Sequence, residues 1–200
     1  MKVLFATHNK AKMKYYQSEL ESVGLDVCSL TDLDISYDVE ETGNTAQENA
    51  ILKAKEYYDI VKIPTIAVDD SLEIENIPDE LQPGTHVRRV NGNERASDKE
   101  MLEYYTSLVK KYGDNGKLNA CWKKCIAIAK DEKVEYYNFS SKKILTSNIN
   151  EKLNEGYPLD SISIEPEYNK YNVDLTAEET LELTEKKNKE LIEFIKNSFN

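Results

Sequence analysis

The segment Pro64-Thr65-Ile66-Ala67-Val68 is apolar and short, and it runs straight into two adjacent carboxylates, Asp69 and Asp70. A run of this kind reads as a strand buried on both faces, which needs other elements packed on either side of it. Its acidic end is costly to bury unless a cation or hydrogen-bond donors meet it. The chain must therefore supply both covering helices and a polar site, and the strand is expected to stop at the acidic pair.

The covering elements can be read on both sides of this run. Lys2 to Ala6 is a second short apolar run and predicts a strand. Met13, Tyr16, Leu20 and Val23 fall at helical spacing over about 10–23, and Gly24 stands where a left-handed helix cap belongs. Residues 25–30 read as another strand. Thr45-Ala46-Gln47-Glu48 has the form of a capping box and opens a helix through about Tyr58, with Ala50, Ile51, Ala54 and Tyr58 inward. Two more boxes, Ser97-Asp98-Lys99-Glu100 and Thr176-Ala177-Glu178-Glu179, predict a helix to about Tyr112 and a long terminal helix. Residues 78–93 are rich in turn formers and predict a loop. The segments 120–129 and 134–145, separated by Asp131-Glu132-Lys133, predict a hairpin. The whole reads as an α/β fold, a mixed central sheet with flanking helices, in a single domain over 1–200. Of the tyrosine doublets 15–16, 57–58, 104–105 and 136–137, one ring each is expected in the core. Trp122 is read as structural.

Charge and composition exclude several classes. A net charge of -11 argues against a nucleic-acid polymer as partner, which needs a basic face. No apolar run reaches the roughly 20 residues that span a bilayer. Three cysteines and two histidines offer neither a CxxC pair nor a zinc set, so a reducing, cytoplasmic setting is the simplest. A nucleotide still suits an acidic chain if Mg²⁺ and local lysines offset the repulsion.

Three motifs carry chemistry. Thr7-His8-Asn9-Lys10-Ala11-Lys12 lies where a strand meets a helix N-terminus, a place of free N–H groups that suits phosphate. An ordinary N-cap explains the same residues. Glu40-Glu41-Thr42-Gly43-Asn44-Thr45 offers oxygen ligands for Mg²⁺, and Lys53 in the following helix could face a phosphate. The plain alternative is a solvated loop and a surface lysine. In Asp69-Asp70-Ser71 one acid could hold a metal while its neighbour orients water, or the three could form a turn.

In this order and spacing the motifs resemble the inosine triphosphatase family, whose pattern runs T-G-N-x-x-K, E-E-T-G-x-T-x-x-E-N-A-x-x-K-A and D-D-S-G-L. Pro83-Gly84-Thr85-His86-Val87-Arg88-Arg89 is similar to its P-G-x-Y-S-A-R segment. The resemblance implies an elongated α/β fold with two lobes around a nucleotide-binding cleft, a homodimer, and Mg²⁺-dependent cleavage of triphosphates such as ITP, dITP and XTP to a monophosphate and pyrophosphate. Carried over by position, Thr7, Asn9 and Lys12 hold phosphate with Lys10 adding charge. Glu40, Glu41, Asp69 and Asp70 are the metal set. Asp70 activates water, Lys53 assists at the phosphates, and Ser71 and Arg89 touch substrate. Tyr157 and Asp160 take the first and fourth places of the family's F-G-[YW]-D-P segment.

The match breaks in places. His8 stands for glycine in T-G-N, Leu72 follows Ser71 where glycine is usual, and Pro158-Leu159 replaces the middle of the aromatic segment. The family's base-reading S-H-R has only Lys187-Asn188-Lys189 nearby. Two functions follow: a pyrophosphatase with altered base selection, or a nucleotide-binding sensor that acts through an effector protein partner.

Overall fold

The structure is a computed structural model that describes residues 1–199 and, of these, every side chain but that of Lys187. The elements run β1 (Lys2–Phe5), α1 (Lys10–Ser22), β2 (Asp26–Ser29), α2 (Ala46–Val61), β3 (Thr65–Ile74), α3 (Asp98–Tyr112), β4 (Lys117–Lys130), β5 (Lys133–Thr146), β6 (Ser163–Glu165), β7 (Lys170–Tyr171) and α4 (Ala177–Phe199). The strands form one mixed sheet in the order β2-β1-β3-β4-β5-β6-β7. β1 is parallel to β2 and β3, and β6 is antiparallel to β5 and β7.

All three capping boxes form. Thr45 Oγ1 accepts the Glu48 N–H at 3.1 Å while Glu48 Oε2 accepts the Thr45 N–H at 3.1 Å. Ser97 with Glu100, and Thr176 with Glu179, make the same reciprocal pair. Each satisfies two backbone donors that a helix start leaves open. Gly24 follows α1 with φ +86°, the left-handed turn its position called for. β4 and β5 are joined by Asp131 and Glu132, both at positive φ, as a tight hairpin turn requires.

Several boundaries differ from expectation: β4 begins at Lys117 rather than 120, and the short strands β6 and β7 are not anticipated by the sequence pattern. α2 continues past Tyr58 to Val61 and ends on Lys62 in the left-handed region. More consequentially, β3 does not stop at Asp69-Asp70 but continues to Ile74. Leu72 and Ile74 are buried, and Leu72 exchanges two backbone hydrogen bonds with Gly84, at 2.9 and 3.1 Å. Core burial and a pairing partner outweigh the poor strand propensity of aspartate.

The chain divides into two compact units. The first comprises residues 1–70, 124–139 and the last helix from Glu182 onward. The alternation of its strands makes two cores. On one face Leu4, Ala67, Cys125 and Ala127 meet Ala46, Ala50, Ala54 and Tyr57 of α2. On the other, Val3, Phe5, Ile66, Val68, Ile126 and Ile128 meet Tyr16 and Leu20 of α1 and Leu191 and Ile195 of α4. The second unit comprises 71–123 and 140–181. Its core joins Leu72, Ile74, Leu118, Ala120 and Leu145 to Met101, Leu102, Tyr105, Leu108 and Val109 of α3, with Trp122 packed against it. Among the described residues no helix is long and apolar enough to cross a membrane.

Candidate active site

The pleat of β3 separates the two aspartates. Asp69 shares its face with Ala67, which packs on the α2 side, and Asp70 shares its face with Ile66 and Val68, which pack on the α1 side. Each finds a lysine there. On α2, Ala46, Asn49, Ala50, Lys53, Ala54 and Tyr57 form one buried face at helical spacing, and its alanines let the helix lie close to the sheet. Lys53 Nζ on that face donates to Asp69 Oδ1 at 2.7 Å and to Glu41 Oε1 at 2.8 Å. On α1, Lys12 Nζ lies 2.8 Å from Asp70 Oδ2 and 3.9 Å from Asp69 Oδ1, and donates to the Val68 carbonyl at 3.4 Å. The second oxygens, Asp69 Oδ2 and Asp70 Oδ1, are buried and have no hydrogen-bond partner among the described residues.

The two carboxyls are driven apart in acidity. Burial raises the pKa of Asp69, and the nearby Glu41 raises it further, against the pull of Lys53 and Lys12. Asp70 is also penalised by burial, but Lys12, Lys124 and Lys53 outweigh it and hold that carboxyl below its ordinary value. Burial lowers Lys53, yet Asp69 and Glu41 more than reverse this and hold it charged. Burial, with Asp69 near, pushes the Cys125 thiol up to about 12.

The acidic loop is clasped to α2. Asn49 Oδ1 accepts the Gly43 N–H at 2.8 Å, and Glu48 Oε2 accepts the Asn44 N–H at 2.6 Å. A Cβ on residue 43 would stand 2.6 Å from both Asn49 Oδ1 and Glu48 Cβ, so only glycine fits there. The clasp leaves Glu41 on Lys53 and Glu40 exposed. Among the described residues no group of three or more His, Cys, Asp or Glu is arranged to hold a metal ion. The four carboxylates proposed for the metal do not converge on one point among the described residues. Glu41 is committed to Lys53, and Asp69 and Asp70 sit on opposite pleats.

In the first loop Asn9 acts as the N-cap of α1, its Oδ1 accepting the N–H of Ala11 at 2.9 Å and of Lys12 at 3.3 Å. Thr7 Oγ1 accepts the Asn9 N–H. Lys10 lines a shallow groove of about 450 Å³ with Thr7, His8, Lys14, Ser29 and Thr31. Lys12 alone of this loop's lysines reaches the carboxylates.

The remaining predicted residues belong to the second unit. Ser71 follows Asp70 in β3 and is buried. Arg89 Nε pairs with Glu94 Oε2 at 2.9 Å on the surface. Asp160 accepts from Asn154 Nδ2 at 2.8 Å on one oxygen and from Asn172 Nδ2 at 2.9 Å on the other, so it ties together its own unit's loops. Tyr157 is half-buried at the entry to the short turn 158–161. Near the expected S-H-R position, buried Asn188 donates to Glu19 Oε1 at 2.7 Å, while the Lys187 side chain lies outside the described residues. Lys124, which influences Asp70, went unmarked in the sequence. Its signal was the period-2 register with Ile126 and Ile128, which puts it on the Asp70 face.

A model of the Ham1 family matches residues 3–189. A dITP/XTP pyrophosphatase of Pectobacterium atrosepticum is 33% identical over 180 residues, 89% of this chain and 88% of that protein. Proteins of the same description match at 40% over 88 residues in Leptospira interrogans and at 36% over 114 residues in Escherichia coli K12. In those two the match spans about half of the relative's length, 44% and 56%. Solved Ham1 proteins of Staphylococcus aureus and Coxiella burnetii share the fold, with TM-scores of 0.77 and 0.78 at 23% and 22% identity, covering 99% and 100% of this chain and 100% and 98% of theirs. From its first strand into its last helix, the chain belongs to the Ham1 family.

Proposed function

We propose that this protein is a Mg²⁺-dependent nucleoside triphosphate pyrophosphatase that cleaves triphosphates of the ITP, dITP and XTP kind to a monophosphate and pyrophosphate, with altered base selection. The observation that carries the reading is the pair of buried carboxylate oxygens, Asp69 Oδ2 and Asp70 Oδ1, which have no partner among the described residues and lie between two lysines. Buried polar atoms are rarely left so unless something else meets them. The description of the relatives as dITP/XTP pyrophosphatases supports it.

The donor set fits Mg²⁺, which takes one or two carboxylates together with substrate phosphates and does not need a closed protein cage. Asp70, held ionised by Lys12, would be the carboxylate that holds it. Bound there, it would acidify a water and neutralise charge developing on the phosphates. Of the two carboxyls, we place the proton acceptor at Asp69 rather than Asp70. A base needs an elevated pKa, and the environments raise Asp69 and lower Asp70. Lys12 and Lys53 offset negative charge at the phosphates, and Glu41 keeps Lys53 in place. Asn9 Oδ1 already takes the N–H groups of Ala11 and Lys12, so what the N-terminus of α1 adds toward a phosphate is its positive dipole end. Asn188, bonded to Glu19, offers the base neither a histidine nor an arginine, which motivates the altered selection.

The test is pyrophosphate release from a panel of NTPs and dNTPs with Mg²⁺, beside Asp69→Asn and Asp70→Asn. Turnover on at least one inosine or xanthosine triphosphate, lost in both variants, is the expected result; no turnover above the variants sinks the reading. Tight binding without turnover would mark the sensor instead, with an effector as partner. Independently, saturating Mg²⁺ to about ten times its Kd should stabilise the protein by about 1.4 kcal/mol, and Asp70→Asn should abolish that shift.

A further inference from the structure

His8 stands where the family pattern carries glycine, and its side chain is engaged. Its Nε2 lies 3.0 Å from the carbonyl oxygen of Tyr37. A carbonyl only accepts, so Nε2 carries the proton and donates. The Tyr57 hydroxyl donates to that same carbonyl at 2.9 Å and lies 3.4 Å from His8 Nε2. Tyr57 is buried on α2, two turns from Asn49 on the same face, and Asn49 clasps Gly43. The Tyr37 carbonyl is thus held from two directions. One is the rigid helix that also carries Lys53, and the other is the loop that carries Thr7, Asn9 and Lys12.

Tyr37 opens the stretch that leads through Asp38 and Val39 to Glu40 and Glu41. Val39 is buried in the α2-side core, while Tyr37, Asp38, Glu40 and Glu41 are all exposed. Apart from Val39, this stretch is held mainly by polar contacts: the His8 and Tyr57 donors and the Glu56 bond at Tyr37, the Val39 backbone at Tyr57, and the Asn49 and Lys53 contacts at 43 and 41. Glycine at position 8 would lack this side-chain bond.

From this we infer that His8 is a positioning residue, a strut that ties the Thr7–Lys12 loop to the 37–41 segment and so presets the two loops that meet the triphosphate. The role in substrate capture rests on the pyrophosphatase reading, but the strut does not. It acts before substrate arrives, so its loss falls on capture rather than on the chemical step.

The experiment compares wild type with His8→Ala, His8→Gln and Tyr57→Phe. Hydrogen exchange of amides 38–44 in the ligand-free protein is read first. His8→Ala should speed it, and His8→Gln, whose amide can donate to the same carbonyl, should restore most of the protection. Exchange in His8→Ala equal to wild type overturns the strut. Steady-state kinetics on the best triphosphate is read second. His8→Ala should raise KM roughly twofold to tenfold, the worth of one hydrogen bond, with kcat changed less. Faster exchange with an unchanged KM would overturn the role in capture. Wild type inert on every triphosphate sinks the pyrophosphatase reading and leaves the exchange result to decide the strut.

Discussion

The contact between Lys53 and Asp69 makes a demanding prediction. Their side chains are 11% and 8% exposed, and Nζ and Oδ1 are 2.7 Å apart. Among the described residues Asp69 Oδ2 has no partner and Oδ1 is the bonded oxygen of this carboxylate, and Lys12 at 3.9 Å is too far to replace Lys53. Lys53→Met keeps the aliphatic stem's volume and removes the charge. It strands an ionised, buried carboxylate, for which breaking a buried pair costs about 3–5 kcal/mol. The double variant Lys53→Met/Asp69→Asn removes both charges and should recover most of that loss, since replacing a whole buried pair is often near neutral. Glu41 adds little to this account, because its side chain is 41% exposed and solvent can meet its charge.

The assay is urea unfolding at pH 7, where at a slope of about 2–3 kcal/mol/M the single variant's midpoint should fall by about 1.5 M. The pH dependence gives a second reading. Asp69's folded pKa is raised above 3.8, so its neutral form favours folding fully below that value, and the benefit is lost as pH rises through the folded pKa. Removing Lys53 raises the folded value further. The variant's deficit should therefore be largest at neutral pH and shrink on acidification. A loss under about 1 kcal/mol at unchanged slope, or a double variant no better than the single, would refute the claim that Lys53 is the counter-ion of a buried Asp69.

Two further outcomes follow from the geometry. Gly43→Ala must move either Asn49 or the loop, because its Cβ would meet both Asn49 Oδ1 and Glu48 Cβ at 2.6 Å; a loss of about 1–3 kcal/mol in urea unfolding is expected, and a neutral result would show that the loop is not clasped. Cys125, with its thiol pushed up to about 12, and buried Cys28, also raised by burial, should stay unreactive to a disulfide reagent at pH 8, leaving only half-exposed Cys121 to titrate before unfolding and three thiols after; rapid modification of two or more in the native protein would contradict the burial.

Features set by neighbours in the chain could be read from the sequence. The capping boxes are i to i+3 chemistry, so Thr45, Ser97 and Thr176 declared their helices without reference to the rest of the molecule. Three of the four tyrosine doublets behaved as local geometry requires: consecutive helical residues point to different sides, and Tyr16, Tyr57 and Tyr105 are buried, with Tyr57 rather than the expected Tyr58 turned inward on α2; in the strand doublet Tyr136 is 46% exposed and Tyr137 only half-buried. The end of β3 could not be read this way. Asp-Asp argues locally for a turn, and what carries the strand onward is Gly84, twelve residues later, accepting and donating the bonds of Leu72.

The site divides along the same line. Residue type and order brought Lys12, Glu41, Lys53, Asp69 and Asp70 to notice, and the fold gathers these five in one unit. Which of them faces which is a tertiary matter. Lys53 read as a phosphate contact, yet its ammonium spans two carboxylates; Asp160 read as a substrate contact, yet two asparagines six and twelve residues away occupy both its oxygens. The extension of β3 explains the rest. Had the strand ended at Asp69, the pair could have curled together as a turn. Because the strand continues, the pleat sends Asp69 to α2 and Asp70 to α1, each to its own lysine. The two carboxyls consequently meet different environments and acquire opposite shifts in acidity. A division of labour between base and ligand needs that asymmetry, and it comes from the alternation of a strand that residue preferences alone would have ended too soon.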